Sequence, residues 1–412
     1  MQARRMMRRE WGGAAVLAAL AVLAGGCVQV GSTARSEASR GLHPDAAADP
    51  LPLMEAVADW QLAQLKNPTA YAKYPRSAGS DMRDPRGWIQ GALFVGLADL
   101  ADRSADPRFA QAVLDNGAAQ KWRPGDRLLH ADDQAIGQSY VWAYGRVRNP
   151  QMLAPLRANF DAILADPPHD ALDYEKVSAD GRPCQNRWCW SDALFMAPPA
   201  WVGLSKAVSD PRYAAYADEE FWATTALLYD REEHLYYRDS RFLHERDETG
   251  KKIFWSRGNG WVAGGIVRVL EALPPDHPSR PRYEAVLREM SAKLITLQNA
   301  QGYWPVSLLA GDRYTTPETS GTAFFVYALA WGVNHGILDR SVYQTSIDRG
   351  WAALVRAVQP DGRLGWVQRV GAAPDAVSAD DTQLYGVGAF LLAGGQVRDL
   401  RGLSGPVRLT HP

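Results

Sequence analysis

Three stretches of this 412-residue chain set charged groups among aromatic rings. In NRWCWSDALFMAPP, residues 186–199, Asp192 follows Trp188 and Trp190 and precedes an apolar run. HADD at 130–133 puts Asp132 and Asp133 side by side, and FWSRGNGW at 254–261 sets Arg257 between Trp255 and Trp261. A carboxyl wedged among apolar rings loses hydration, which raises its pKa and lets it carry a proton near neutrality as a general acid. A second carboxylate close by pushes in the same direction. An arginine guanidinium offers a bidentate fork to an anion, and tryptophan offers a flat apolar face to a sugar ring. Together these residue types would do acid catalysis on an acidic sugar.

Each residue also has an ordinary structural use. Asp132, Asp133, Asp192, Thr319, Asp380 and Asp381 stand where helix N-caps are wanted, and capping alone accounts for an Asp ahead of a helix. A tryptophan taken singly belongs to the core more often than to a binding face, and Gly258 and Gly260 need do no more than shape a turn. What separates the two uses is whether the residues meet in one place. That depends on the elements that carry them.

From Leu51 onward the apolar residues recur mostly at helical spacing. The pattern predicts twelve helices, near 51–66, 87–102, 107–119, 133–147, 150–165, 192–207, 211–229, 259–273, 281–299, 320–335, 341–357 and 381–395. Every second one is rich in Gly, Ala and aromatic residues, as in GNGWVAGGIVRVLEAL, and small residues let helices approach closely, so these should form an inner ring. The intervening helices carry charge on one face, as in PRYEAVLREMSAKLITLQ, and should form an outer ring. Short runs LYY (235–237), KIFW (252–255) and GYWPVSLL (302–309) read as loop hairpins.

A polar and aromatic cluster precedes each inner helix: RGW at 86–88, HADD, RWCWSD at 187–192, FWSRGNGW, PETSGT at 317–322 and ADDTQ at 379–383. The clusters recur about every sixty residues, with one shorter interval, which implies a repeated helical hairpin. Six such hairpins closed into a ring give an all-α (α/α)6 barrel with short β-hairpin loops at its mouth. All six clusters would then face one cavity, where Trp88, Trp188, Trp190, Trp255 and Trp261 add flat faces and six helix N-termini favour an anionic ligand.

The barrel is expected over residues 51–398, followed by a C-terminal tail at 399–412. Ahead of it, residues 1–27 read as a lipoprotein-type signal peptide: a basic start, an apolar run too short to span a bilayer, and LAGGC ending at Cys27. Cys27 is the expected lipidation site and the lipid the only expected hold on a membrane, which implies export to the periplasm or cell surface on the outer membrane. Residues 28–50 are small and polar, as suits a flexible tether. Cys184 and Cys189 flank the tryptophan motif either as a disulfide or as two free thiols.

Lys plus Arg number 45 against 46 Asp plus Glu, so the chain has no basic excess with which to neutralise phosphates, and nucleic acid is set aside as a partner. There is no HExxH, Walker loop, GxGxxG after a strand or EF-hand spacing, so no metal and no cofactor is implied.

WCWSDALFMAPP, FWSRGNGWV, PETSGTAFF and LYGVGAFLL together resemble the unsaturated uronyl hydrolases of glycoside hydrolase families 105 and 88, over roughly residues 55–398. The resemblance implies an (α/α)6 barrel, in agreement with the hairpin count. It also implies an enzyme that removes a 4,5-unsaturated uronic acid from the end of lyase-generated oligosaccharides, its expected partners. In that family an aspartic acid protonates the vinyl ether at C4, water adds at C5, and the hemiketal opens and releases the sugar. By resemblance Asp192 is that acid and then the base for water, and Asp132 is the second catalytic aspartate, with Asp133 the alternative beside it and assigned to substrate binding. Trp190, Trp255, Arg257 and Trp261 match positions lining the sugar subsite. Where family members commonly carry a histidine after a Leu-Tyr-Tyr-like run, LYYRDSRF has Arg238, which either contacts the next sugar or another anionic group or is a loop residue.

Two rival readings stay open at this level. An inverting glycosidase on the same barrel would use Asp132 and Asp192 as a separated acid and base. A lipid-anchored binding protein would use the tryptophans alone, but it has no need for a carboxylate wedged between them. A sugar epimerase would want histidines at the cavity, and only His130 stands beside a mouth cluster.

Overall fold

A computed structural model describes residues 45–65, 83–174 and 184–403. The expected signal peptide, Cys27, the tether as far as residue 44 and the tail beyond 403 lie outside the described residues. Six outer helices are α1 (Leu51–Leu65), α3 (Pro107–Ala119), α6 (Ala154–Ala165), α9 (Pro211–Leu228), α11 (Arg280–Leu297) and α13 (Arg340–Ala357). Between them run α2 (Trp88–Ala101), the broken pair α4 (Ala131–Gln134) and α5 (Gly137–Val147), the broken pair α7 (Ala193–Met196) and α8 (Pro198–Val208), then α10 (Ser256–Ala272), α12 (Thr319–Asn334) and α14 (Leu384–Leu400).

The inner helices close a ring. Helix α2 packs on α5, α5 on α8, α8 on α10, α10 on α12, α12 on α14, and α14 returns to α2. Outer helices α3, α9, α11 and α13 back α2, α8, α10 and α12, while α1 backs α14. Helix α6 is seated by Phe160, whose ring stacks on Trp201 of α8 at 3.9 Å. This is the (α/α)6 barrel expected from the alternating sequence pattern.

The two rings obey different rules. In α11 the buried side chains are Tyr283, Val286, Leu287, Met290, Ser291 and Leu294, one stripe at helical spacing with charge on the other face. Helices α12 and α14 are buried nearly all round, so they carry no stripe. Their small residues let backbones touch: a Cβ at Gly388 would stand 2.1 Å from the Ala92 carbonyl oxygen, and one at Gly96 2.4 Å from that of Gly388. Neither carbonyl can withdraw without moving a helix.

Several boundaries differ from the sequence expectation. The helices expected at 133–147 and 192–207 are each broken near the mouth. In the second, Pro198 and Pro199 lack the backbone N–H groups that would continue the ladder, so α7 stops after one turn and α8 restarts on the prolines, although Ala197 before them keeps helical angles. The first breaks where Gly91 of α2 comes closest, its Cβ position 3.1 Å from both Ala135 Cβ and the Ile136 nitrogen. Helix α10 begins at Ser256 rather than 259, which places Arg257 inside its first turn.

Among the loop runs, β1 (Tyr229–Asp230) and β2 (Leu235–Tyr236) form the expected antiparallel hairpin. KIFW opens on an antiparallel bridge of Lys252 with Arg246 across a tight turn, and GYWPVSLL follows α11. They pair with each other through a bridge between Trp255 and Ser307, flanked by Ser256 N–H donating to Val306 O and Leu308 N–H to Phe254 O, both at 2.9 Å.

The α2–α14 contact makes one stability prediction. Gly388→Val should destabilise the fold by about 3 kcal/mol, because overpacking against a backbone carbonyl cannot be relieved by a rotamer change. Denaturant unfolding would measure it. A change under about 0.5 kcal/mol would show that the two helices can part.

Candidate active site

At the mouth of the inner ring one cavity of about 160 Å³ gathers Asp132, Asp192, Arg238 and Arg257 with Trp88, Trp190, Trp255 and Trp261. Every residue that the sequence placed in the site, apart from Asp133 and Trp188, lines this cavity. A larger hollow of about 810 Å³ lies between α1 and α3, but its charged residues, Asp59, Arg108 and Asp115, are not joined there by any tryptophan.

Asp192 is set by the break in the third inner helix. Trp190 bridges Asp239, and Ser191 N–H donates to the Arg238 carbonyl oxygen at 2.8 Å, so the chain is pinned across the barrel mouth before α7 begins. Asp192 occupies the N-cap position of α7, but its backbone is already helical and its side chain caps nothing. Both carboxyl oxygens are buried with no hydrogen-bond partner, and the nearest cation is Arg238 Nε, 3.3 Å from Oδ2. Burial pushes this carboxyl above the usual carboxylate range, while Arg238 and then Arg257 pull it back down. The capping explanation for Asp192 therefore fails.

Asp132 is likewise spared. The cap of α4 is His130, whose Nδ1 accepts from the Asp132 backbone N–H at 3.3 Å and whose ring lies 5.1 Å from that of Trp190. Burial pushes Asp132 up to about 7, with Arg127 opposing and Asp192 and Asp133 adding to the rise. Asp133 does not line the cavity. It accepts from the Arg127 backbone N–H at 2.7 Å and from the Arg127 guanidinium at 2.5 and 2.9 Å, and a Cβ at Gly125 would strike it at 2.4 Å. It is a loop anchor rather than a substrate contact. The remaining expected caps also move. Glu318 caps α12 in place of Thr319, while Asp380 faces Arg363 at 3.1 Å and Asp381 accepts from Ser378 N–H at 2.8 Å.

Each cation has its own holder. Asp239, fully buried, accepts from Arg238 Nη1 at 2.6 Å and from Arg241 Nε and Nη2, both at 2.8 Å. Burial alone would raise the Asp239 carboxyl, and the two guanidinium groups more than reverse this. Arg238 therefore reaches the cavity as a fixed positive charge, not as a free loop residue. Arg257 is 1% exposed and donates from Nη1 and Nη2 to the carbonyl oxygens of Gln368 and Arg369 at 2.7 and 2.9 Å. It lies 4.3 Å from the Trp255 ring and 4.8 Å from that of Tyr385, and its buried Nε has no partner.

The segment around Gln368 escaped the sequence reading. Its side chain accepts from Trp255 Nε1 at 2.7 Å, its carbonyl oxygen accepts from the Tyr385 hydroxyl at 2.5 Å, and Val370 and Gly371 complete the cavity wall. Tyr385 in turn stacks on Trp88 at 5.2 Å. Met196, at the end of α7, is the other wall residue not foreseen. Trp188 is a correction: it is buried against Tyr216 of α9 at 5.9 Å, with its carbonyl oxygen taken by Thr224 Oγ1, and belongs to the packing between the rings. Cys184 and Cys189 form a disulfide that ties the start of this stretch.

A raised carboxyl has a cost in stability whose sign is fixed. Asp132 binds its proton more tightly folded than unfolded, where the pKa is about 3.9, so its contribution falls as pH rises from about 4 to about 7. Asp132→Asn removes that loss and should be the more stable protein at pH 8, by up to about 4 kcal/mol, with the advantage gone by about pH 4. Urea melts across this range would show it. A difference that does not vary with pH would mean that Asp132 is not held protonated by burial.

Residues 53–400 match glycosyl hydrolase family 88. An unsaturated 3S-rhamnoglycuronyl hydrolase from Alteromonas sp. (strain LOR) is 40% identical over 350 residues, 83% of this chain and 84% of that protein. Among solved structures, one described as a polysaccharide lyase superposes with a TM-score of 0.73 at 28% identity, covering 88% of this chain and 100% of the other. A glycosyl hydrolase family 88 protein from Bacteroides vulgatus superposes with a TM-score of 0.72 at 26% identity, covering 86% of this chain and 100% of the other. With the match running from α1 to the end of α14 and the cavity inside it, the chain belongs to glycosyl hydrolase family 88.

Proposed function

We propose that this glycoside hydrolase removes a 4,5-unsaturated uronic acid from the non-reducing end of oligosaccharides cut by a polysaccharide lyase, by hydrating the double bond. One observation carries the reading. Asp192, a buried carboxyl spared both capping and hydrogen bonding, shares a small cavity with two guanidinium groups. The cations suit the uronate carboxylate, the tryptophans suit the ring, and the acid suits the alkene.

In the vinyl ether the ring oxygen feeds electron density to C4. Asp192 gives its proton to C4, leaving positive charge shared between C5 and the ring oxygen. Water adds to C5 and loses a proton to the Asp192 carboxylate, which restores the acid. The hemiketal opens by breaking the bond between C5 and the ring oxygen, giving a C5 ketone and a C1 hydroxyl. The bond from C1 to the neighbouring sugar then breaks, and that sugar leaves as an alcohol. One water is consumed and the anomeric carbon is never attacked. Asp132, which keeps its proton to about pH 7, can hold a sugar hydroxyl without setting a second negative charge beside the uronate.

The name of the Alteromonas relative makes rhamnose the first sugar to try in the leaving position. The double-bond absorbance of lyase-generated oligosaccharides should fall with the wild type. Asp192→Asn should slow that loss by about 10²–10⁴-fold or more, and Asp133→Asn should change it by less than about threefold. A lyase would raise the same absorbance, and an inverting glycosidase would cleave saturated uronides instead, so either result would displace this reading.

The chain is further proposed to be exported and held at the outer membrane by a lipid on Cys27. The disulfide of Cys184 with Cys189, a bond that persists in oxidising compartments, supports export. Cys27→Ser should release the protein from washed membranes into the soluble fraction. Equal partition of both forms would remove the anchor.

A further inference from the structure

Two guanidinium groups face one buried acid with part of their bonding capacity unused. Arg238 gives Nη1 to Asp239, while its Nε lies 3.3 Å from Asp192 Oδ2 as an ion pair without making a hydrogen bond. Arg257 gives its two Nη atoms to backbone carbonyls, and its buried Nε has no partner. Asp192 presents two buried oxygens in the same condition. All three residues line one cavity with these atoms unbonded to each other.

Helix α4 brings Asp132, with its cap His130 lying 3.8 Å from Asp132 Oδ2 and Asp133 turned to Arg127. The segment after β2 brings Arg238, with Asp239 and Arg241 paired behind it. Helix α10 brings Arg257, and α14 brings Tyr385, whose hydroxyl is bound to Gln368. Glu318 is occupied in capping α12, and Arg369 is turned to Asp375 at 2.6 Å. The positive charges that act on Asp192 are thus Arg238 and Arg257, and both favour its ionised form.

We infer that the substrate's own carboxylate loads the proton onto Asp192: on binding, the anion takes over Arg238 and Arg257 and leaves Asp192 as a buried carboxyl without a counter-charge. The inference rests on the reading of the substrate as an unsaturated uronide. An opposite charge within about 4–6 Å holds a carboxyl pKa down by about 1–3 units, and an anion that pairs with that charge cancels the effect while adding repulsion of its own. The proton comes from solvent. Arginine at position 238 cannot take up the proton itself, since it stays charged throughout, so the uptake falls on a cavity carboxyl, and Asp192 is the one on which both guanidinium groups act. A neutral sugar of the same shape would bind without charging the catalyst, so it would be discriminated against in kcat more than in KM.

Two measurements test this. The alkaline limb of kcat/KM reports the free enzyme and that of kcat the complex. In the wild type the kcat limb should lie about one pH unit or more above the kcat/KM limb, and in Arg238→Gln the kcat/KM limb should move up toward it. Coincident limbs in the wild type, with the double bond still consumed, would overturn the inference and leave the proposed function standing. In calorimetry at pH 7, in two buffers of different ionisation heat, D-glucuronate should bind with uptake of up to about one proton and D-glucose with none. Asp192→Asn should abolish the uptake. Binding of glucuronate without proton uptake, or uptake that survives in Asp192→Asn and is lost in Asp132→Asn, would also overturn it. If the double bond is never consumed and glucuronate does not bind, the substrate reading itself falls and takes the inference with it.

Discussion

The close approach of inner-ring backbones is the constraint on which the rest of this structure depends. Where Gly388 meets Ala92 and Gly96 meets Gly388, the helices touch through carbonyl oxygens, and no side chain is left between them to adjust. That contact fixes how closely α2 and α14 approach, and so where Trp88 and Tyr385 near their starts can stand. Burial is the largest influence on both Asp132 and Asp192, ahead of every charged neighbour. The acidity of the site is therefore a property of the scaffold's packing as much as of the residues in it.

A second consequence follows from who does the capping. In a barrel whose inner helices start at the mouth, carboxylates at those starts are drawn toward backbone N–H groups. Here His130 and Glu318 cap α4 and α12, and the short α7 leaves its start uncapped by any side chain. Asp132 and Asp192 are left facing the cavity with their protonation set by burial rather than by hydrogen bonds. Had either been a cap, the bonds to its ionised form would have held its pKa down.

Much of the fold was legible because the two rings follow different compositional rules. Charge on one face marked α11 as outer, and Gly with aromatics marked α10, α12 and α14 as inner. The break at Pro198 was also written in the chain, although the apolar run through it masked the interruption. The site was legible where a residue's neighbours in sequence are also its neighbours in space, as with Trp190 and Asp192 or Trp255 and Arg257. Asp132 was preferred over Asp133 through the family resemblance alone, because adjacent residues on a four-residue helix point in different directions and nothing in so short a segment sets the phase. Trp188 was misplaced for a similar reason: two positions from Trp190, it turns toward the outer ring. Gln368 gave no signal at all. It lies in an irregular loop 111 residues beyond Arg257, and its part in the site is played largely through a carbonyl oxygen.

That last feature bears on how the site can change over evolutionary time. Arg257 is held by main-chain oxygens of residues 368 and 369, and these do not depend on which side chains the two positions carry. Position 369 sends its own side chain outward to Asp375, so it can drift while the guanidinium stays in place. Val370, exposed at the rim, and Gly371 follow directly in the same loop and border the cavity. New side chains at these two positions would reshape the approach to the cavity without disturbing the charge at its floor. The loop thus separates what must be kept from what can be varied, and descendants of this chain could exchange one leaving sugar for another without first losing their hold on the acidic one.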